Sequence, residues 1–216
     1  MMSDLRVNEI FYSIQGESTR AGLPCVFVRL SGCPMRCVWC DTTYAFEEGQ
    51  EYTIDSILER VGSYDCRLVE VTGGEPLAQK GTGLLLTRLA ESGYTVLVET
   101  GGGVPIDDID RRAILIYDVK CPDSGELEAN VLGNLDLLKP GVDEIKFVLA
   151  SRRDYLWALG MIRDRSLAER HTVLFAPVHG VLDDVELGRW ILEDHAPVRL
   201  QLQLQKILWG SDARGV

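Results

Sequence analysis

Apolar runs of five to seven residues recur along the chain, and a glycine or polar break and then an amphipathic segment follow most of them. Most runs are nearly continuous in Val, Ile and Leu, which is typical of strands covered on both faces of a parallel sheet. The strand candidates are 25–30, 67–71, 95–99, 113–119, 144–150, 172–178 and 198–204. Strands that alternate with helices predict a parallel sheet with right-handed crossovers.

Between these runs, apolar residues recur at the spacing of an amphipathic helix. Thr53 is placed to cap a helix, and Gly93 is placed to end the next one. The predicted helices are 54–62, 82–92, 151–164 and 182–195. Six or seven strands fall short of the eight in a closed barrel. The prediction is therefore an α/β fold, an open, partial β/α barrel of about six parallel strands with trimmed crossover helices.

Composition narrows the class of protein. With 216 residues, 46% hydrophobic and 25% charged, the chain fits one globular domain, 1–216, with an N-terminal extension at 1–24 and the partial barrel at 25–206. No apolar run approaches the roughly 18 residues of a membrane span, and the N-terminus lacks a secretion signal. The formal charge of −11 argues against nucleic acid as a partner. We expect a soluble, cytoplasmic protein that binds no membrane.

Three cysteines at 33–40, CPMRCVWC, are spaced C-x3-C-x2-C directly after the first strong strand. Clustered thiolates select zinc or an iron–sulfur cluster, and zinc needs a fourth protein ligand. The three histidines lie far along the chain, at 171, 179 and 195. A [4Fe–4S] cluster held by three thiolates leaves one iron open to a cofactor or substrate. Cys25, Cys66 and Cys121 are interpreted as core cysteines.

Glycines and charges stand where other strands end, and in such folds ligands gather beyond the carboxyl ends. Two glycines in VTGGEP (71–76) allow the backbone to approach a ligand closely, although a tight turn explains them equally well in isolation. Glu99 in ETGG either faces the same ligand site at the carboxyl ends of the strands or belongs to a capped turn. Lys120 in DVK either meets a carboxylate or is solvated.

The cysteine spacing with Trp39 before the last cysteine resembles the signature of radical S-adenosylmethionine enzymes. The resemblance implies that Cys33, Cys37 and Cys40 hold a [4Fe–4S] cluster, and that S-adenosylmethionine binds its open iron. Reductive cleavage of that cofactor releases a 5′-deoxyadenosyl radical, which abstracts hydrogen from substrate. The cofactor contacts implied are Trp39, Cys40, Asp41, Gly74, Glu75, Glu99, Asp118, Val119, Lys120, Ala176, Pro177, Val178 and His179.

An N-terminal strand leading into Gln15-Gly16-Glu17, then Arg29, CDT (40–42), TGGEP and LQLQK (202–206), resembles the 7-carboxy-7-deazaguanine synthase family. That family contracts the ring of 6-carboxy-5,6,7,8-tetrahydropterin with loss of ammonia, for queuosine and related 7-deazapurines. The resemblance implies substrate contacts from the backbone of Ile14, Gln15 and Gly16 and from the side chains of Arg29 and Thr72. For Arg29, a structural ion pair is the alternative.

The same resemblance implies Mg²⁺ on Thr42, a reducing protein such as flavodoxin, and a homodimer. Ser18 stands where many members have glycine, Asp118-Val119 replaces a Ser-Pro pair of some members, and Gln205 stands where histidine is common. No substrate role is therefore assigned to the C-terminus. Two other functions remain open: a glycyl-radical enzyme activase, and a non-catalytic iron–sulfur or zinc-binding module.

Overall fold

A computed structural model describes residues 4–216, so positions 1–3 of the predicted N-terminal extension lie outside the described part. Within that part, nine strands form one sheet in the order β3-β1-β2-β4-β5-β6-β7-β8-β9. The strands are β1 Leu5–Ile14, β2 Pro24–Leu30, β3 Gln50–Tyr52, β4 Leu68–Gly73, β5 Thr95–Thr100, β6 Ile114–Val119, β7 Glu144–Leu149, β8 Thr172–Pro177 and β9 Arg199–Leu200. The α-helices are α1 Ile54–Gly62, α2 Thr82–Glu91, α3 Arg152–Asp164, α4 Leu167–Arg170, α5 Asp184–Glu193 and α6 Leu204–Trp209.

The sheet is parallel from β2 to β9, whereas β1 pairs antiparallel with both β2 and β3. It does not close, because β3 lies at one edge and β9 at the other. The predicted open barrel is confirmed, and so are the trimmed crossovers. No α-helix is found between β5 and β6 in the described chain, and the β6–β7 connection carries only the 3-10 turns Pro122–Ser124, Leu127–Ala129 and Leu132–Asp136.

Side-chain caps begin α1, α3 and α5, and the cap at Thr53 is the one that the sequence predicts. The Thr53 hydroxyl accepts a hydrogen bond from the Ser56 N–H at 3.1 Å at the start of α1. Ser151 and Asp183 cap α3 and α5 in the same way. Gly93 follows α2 with a φ of +81°, a left-handed conformation that favours glycine. No helix within residues 4–216 is both long and apolar enough to cross a lipid bilayer.

The strands are buried on both faces, as predicted, but their inner face is not purely apolar. Val71, Val98 and Phe147 lie in the core cluster on the outer face, which the helices cover. The inner face carries charged side chains at the alternate positions, such as Glu70 and Lys146. Because successive side chains of a strand point to opposite faces, a single charge within an apolar run marks the face that is not core.

The predicted strand at 198–204 is wrong for most of its length. Only Arg199–Leu200 pairs with β8, and the chain then leaves the sheet before α6 begins at Leu204. The Leu204 N–H donates to the carbonyl of Gly16 at 3.0 Å, so the backbone here follows the loop after β1 rather than the edge of β8. The C-terminal segment thereby covers the carboxyl ends of the strands.

Candidate active site

A cavity of about 740 Å³ opens at the carboxyl ends of the parallel strands. Most of the side chains proposed from the sequence line it. They are Ile14, Gln15, Gly16, Arg29, Cys33, Cys37, Trp39, Cys40, Asp41, Thr42, Thr72, Gly74, Glu99, Asp118, Lys120, Val178 and His179. The topology therefore brings together residues that lie up to 165 positions apart in sequence.

The cysteine loop follows β2 and forms one wall of this cavity. Cys33, Cys37 and Cys40 are free thiols, each half-buried. Burial raises the pKa of all three. Among residues 4–216, no three His, Cys, Asp or Glu side chains are arranged to hold one metal ion. In a [4Fe–4S] cube each thiolate binds a different iron, so three thiols spread along one wall are a donor set that fits a cluster.

Two glycines allow β4 to end against the cysteine loop. Gly73 has a φ of +136°, and a Cβ at this position would lie 2.0 Å from the Leu30 carbonyl oxygen. A Cβ on Gly74 would lie 2.2 Å from the Gly32 carbonyl oxygen and 2.9 Å from Cys33 Cβ. These contacts exclude any side chain, so the glycine pair sets the position of the first cysteine as well as opening the wall.

Glu75 does not line the cavity with its side chain, contrary to a simple interpretation of the GGE segment. Its carboxylate is fully buried and accepts hydrogen bonds from the Leu77 N–H at 3.0 Å and the Gly101 N–H at 2.8 Å. The Thr100 hydroxyl donates to it as well, at 2.9 Å. The carboxylate thus ties the TGGEP turn to the ETGG turn, and a cofactor contact at this residue is left to its backbone.

Three more of the proposed cofactor residues lie away from the cavity surface. The Val119 side chain is fully buried in the hydrophobic core. Ala176 and Pro177 end β8 as buried residues that do not line the cavity, whereas Val178 and the exposed His179 do. Alternation along the strands explains Val119, because its neighbours Asp118 and Lys120 face the cavity.

Asp118 and Lys120 form an ion pair at the end of β6, with 2.9 Å between Lys120 Nζ and Asp118 Oδ2. Burial by itself lowers the pKa of Lys120, but Asp118 and then the thiol of Cys37 outweigh it, so this pKa lies above its usual value. Asp118 Oδ1 is buried and has no hydrogen-bond partner within residues 4–216. An orphaned acceptor beside the cysteine wall is suited to a hydroxyl or amine of a ligand.

Arg29 takes part in an ion pair, yet it also lines the cavity. Its Nε donates to Glu9 Oε1 at 2.7 Å, and the Tyr44 hydroxyl donates to the same oxygen at 3.1 Å. The guanidinium carbon lies 5.7 Å from the centre of the Phe11 ring, which stacks on Phe27. The ion-pair alternative for Arg29 is therefore present, but the Glu9 contact uses only Nε, which leaves the terminal nitrogens available to a ligand.

The loop after β1 uses its backbone internally. Gln15 donates its N–H to Leu23 and accepts at its carbonyl from Gly22, both at 2.8 Å. The backbone N–H and carbonyl of Gln15, which were predicted to contact the substrate, are therefore already hydrogen-bonded within the protein. The Gln15 side chain donates to Glu70. Ser18 has a φ of +64°, so the chain adopts here the conformation that a glycine would favour.

Glu17 lines the cavity, and its surroundings could not be predicted from the sequence. Its carboxylate accepts from Lys146 Nζ at 3.0 Å and from the amides of Gln201, Gln203 and Gln205 at 2.9 to 3.0 Å. Burial alone raises its pKa, but Lys146 and then the amides outweigh that effect, so the pKa lies below its usual value. The carboxylate is ionised at neutral pH and holds the C-terminal segment over the cavity.

Lys146 joins Glu17 to Glu99 across the inner face. Its ammonium group bonds to both carboxylates and its side chain is only 6% exposed. Burial lowers the pKa of Lys146, yet Glu17 and Glu99 hold it well above the usual value. The charges of Lys146 and Glu99 within otherwise largely apolar runs were the available signal for this pair.

Thr42 and Asp41 lie beyond the last cysteine, near the C-terminal segment. Asp41 pairs with Lys206 at 2.7 Å. The Thr42 hydroxyl donates to Asp41 Oδ1 at 3.0 Å, which leaves its lone pairs for a cation. Oxygen atoms, the ligands that Mg²⁺ prefers, thus lie at the position for which the family resemblance implies this ion.

Comparison with known proteins agrees with this geometry. Residues 27–115 match the model of the Radical SAM superfamily. A 7-carboxy-7-deazaguanine synthase from Chlorobaculum tepidum is 50% identical over 214 residues, which cover 98% of this chain and 97% of that protein. One from Koribacter versatilis is 40% identical over 98% of this chain and 100% of its own. The crystal structure of QueE from Escherichia coli aligns with a TM-score of 0.78 at 22% identity, over 93% of this chain and 94% of that one, and has the same fold.

An identity of 50% across nearly the whole of both chains goes beyond a shared fold. The aligned region spans the cysteine loop, the TGGEP turn and the C-terminal segment, which contribute residues to one cavity. This chain belongs to the 7-carboxy-7-deazaguanine synthase family of the radical S-adenosylmethionine superfamily.

Proposed function

We propose that this protein is the lyase that converts 6-carboxy-5,6,7,8-tetrahydropterin to 7-carboxy-7-deazaguanine with loss of ammonia, in queuosine and 7-deazapurine biosynthesis. The observation that carries the proposal is the 50% identity over 98% of the chain to a synthase of that name. The cavity supports it, because it combines a cysteine wall with an aromatic wall that carries Arg29. The relatives favour this function over an activase or a simple iron–sulfur module.

Cys33, Cys37 and Cys40 would hold the [4Fe–4S] cluster, with S-adenosylmethionine beside it. When bound, this pair supplies a 5′-deoxyadenosyl radical that removes hydrogen from C6 of the pterin. The chain contributes the surrounding contacts for the cofactor. Residues of the cavity wall proposed for that role are Trp39, Asp41, Gly74, Glu99, Asp118, Lys120, Val178 and His179, with backbone contacts from Glu75, Val119, Ala176 and Pro177.

The pterin is flat and carries one carboxylate, and the opposite wall of the cavity suits both properties. Phe11 and Phe27 are stacked with 4.9 Å between ring centres and line this wall. Arg29 beside them can offer its terminal nitrogens to the carboxylate as two parallel donors. Thr72 is paired in register with Arg29 on β4, so both side chains reach the same part of the cavity. Ile14 and Gly16 complete the proposed substrate contacts.

The remaining parts of the proposal concern the partners. The cluster must be reduced by an electron donor before the cofactor can be cleaved, and for this donor we propose a reducing protein such as flavodoxin. We also propose a single domain over 1–216, a homodimer and a cytoplasmic location, as the family implies.

Thr42 tests the proposed magnesium ion, which would orient substrate oxygens and stabilise developing charge. Thr42→Ala removes one oxygen ligand, so we expect the Mg²⁺ concentration for half-maximal activity to rise about tenfold, equivalent to roughly 1.4 kcal/mol. Thr42→Ser keeps the hydroxyl and serves as the matched control. An unchanged Mg²⁺ requirement in Thr42→Ala would remove Thr42 from the metal site.

The function itself is tested by anaerobic reconstitution of the cluster, followed by assay with the carboxypterin, S-adenosylmethionine and a reductant. We expect 7-carboxy-7-deazaguanine and ammonia in equal amounts. Cofactor cleavage without ring contraction would refute the substrate while keeping the superfamily. Parallel assays with tetrahydropterin lacking the carboxylate test the role of Arg29, since that substrate offers no anion to pair with.

A further inference from the structure

Glu70 is a buried carboxyl group of the cavity for which the proposed function has no role so far. It lies in the middle of β4, two positions before Thr72, and is only 4% exposed. Residues two apart in a strand point to the same face and lie about 6.6 Å apart. A pterin that contacts Thr72 therefore lies within reach of Glu70.

Among residues 4–216, Glu70 forms no ion pair of its own. Its Oε2 accepts a hydrogen bond from the Gln15 amide. Glu17 and Glu99 approach from the β1 loop and from β5, and both bond to Lys146 of β7. On β2, Phe27 is paired in register with Glu70. The Cys25 thiol lies close to Glu70 as well: burial, and to a smaller extent the charge of Glu70, raises the pKa of Cys25.

These surroundings determine the charge state of the group. Burial, followed by repulsion from Glu99 and Glu17, raises the pKa of Glu70 to about 8. At neutral pH the protonated, uncharged form of Glu70 therefore predominates. A group whose pKa lies near the working pH is suited to both giving and taking a proton.

We propose that Glu70 is the acid and then the base in the release of ammonia, an inference that rests on the proposed function. Glu70 gives its proton to the departing nitrogen as the C–N bond breaks and the bonding electron pair goes to nitrogen. The resulting carboxylate then takes the proton from the adjacent carbon, and the C–H electron pair forms the ring double bond. The net change is loss of NH₃, with no oxidant or reductant, and Glu70 regains its starting state.

Lys146 fits this step as a positioning residue. Its ammonium group lies close enough to Glu70 to stabilise the ionised form. Since it is already bonded to Glu17 and Glu99, it does not form a tight pair that would keep Glu70 permanently ionised. The acid form is thus available before the reaction, and the ionised form is supported after it.

The test separates hydrogen abstraction from ammonia release in the reconstituted enzyme. The substrate carries deuterium at C6, and two quantities are measured: deuterium transfer to the adenosyl carbon, and formation of 7-carboxy-7-deazaguanine. For Glu70→Gln we expect product formation to fall about 100-fold, with deuterium transfer changed less than about threefold. A parallel fall of both quantities, or no change in product, would overturn the proposal, because a structural role affects both equally.

The pH profile provides a second readout. As pH rises through about 8 the wild-type group loses its proton, so product formation should decline there. In Glu70→Gln this alkaline limb should vanish, and in Glu70→Asp it should move. If Glu70→Gln does not fold, Glu70→Asp decides: an unmoved limb refutes the role.

An infrared titration of the reconstituted protein gives a readout independent of turnover. We expect a protonated carboxyl band at pH 7 with a component that is half lost near pH 8, and this component should be missing in Glu70→Gln; its absence from the wild type would refute the proposal. The matched control is Asp143→Asn, since Asp143 is equally buried but lies outside this cavity. In Asp143→Asn, the ratio of product formed to deuterium transferred should stay at the wild-type value. A wild type that never converts the pterin would instead refute the proposed function.

Discussion

Replacing any one of Cys33, Cys37 and Cys40 by alanine is expected to reduce product formation to the uncatalysed background. Three thiolates are the smallest protein ligand set that holds the cluster while one iron stays open, so no neighbouring side chain compensates for a lost sulfur. Iron and sulfide content after anaerobic reconstitution, measured with the visible absorption of the cluster, should fall together with activity.

Cys66→Ala is the matched control for these variants. Cys66 is half-buried like the three ligands, but its sulfur contacts the carbonyl oxygens of Pro24 and Leu68 outside the cavity. We expect full iron content and activity for this variant. Loss of iron in Cys66→Ala, or wild-type iron in Cys33→Ala, would contradict the assignment.

The cysteine loop could be predicted from the sequence because its information is local. Cys33, Cys37 and Cys40 lie within eight positions, and the loop follows an apolar strand, so both the ligand set and its place at a strand end follow from neighbouring residues. The TGGEP turn is local in the same way. The role of the Glu75 side chain was not predictable, because it depends on contacts with Thr100 and Gly101 about 25 positions later.

The hydrogen bonds around Glu17 could not be predicted, because its partners lie far from it in the sequence. Its partner Lys146 lies 129 positions away, and Gln201 lies 184 positions away. The apolar and polar residues of 198–204 alternate as in a strand, and the sequence predicts one there. In the structure the alternate residues Gln201, Gln203 and Gln205 donate to the Glu17 carboxylate, and only Arg199–Leu200 pairs with the sheet. A signal was nevertheless present in the single charges within otherwise apolar strands, such as Glu70 and Lys146.

Lys146→Met is expected to lower the free energy of unfolding by about 3–5 kcal/mol, because it leaves buried carboxylates without a counter-charge. Glu17 and Glu99 would remain close to each other and to Glu70 on the inner face. Urea denaturation at pH 7.5, followed by circular dichroism, measures the difference. Arg88→Met is the control: it breaks an exposed ion pair with Asp55, which contributes about 0–1 kcal/mol.

The cost of Lys146→Met should depend on pH in a way that simple loss of packing does not. Without Lys146, burial and mutual repulsion raise the folded-state pKa values of Glu17 and Glu99 above those of the unfolded chain. A carboxyl with a raised pKa supports the fold at low pH, and that support is lost as pH rises through the folded-state value. The wild type instead keeps Glu17 ionised and paired above its usual pKa. The stability difference should therefore be small near pH 4.5 and largest above pH 8, and Glu99→Gln in the Lys146→Met background should recover part of it. A difference that stays constant across this range would mean that Lys146 stabilises the protein through its methylene groups and not through its charge.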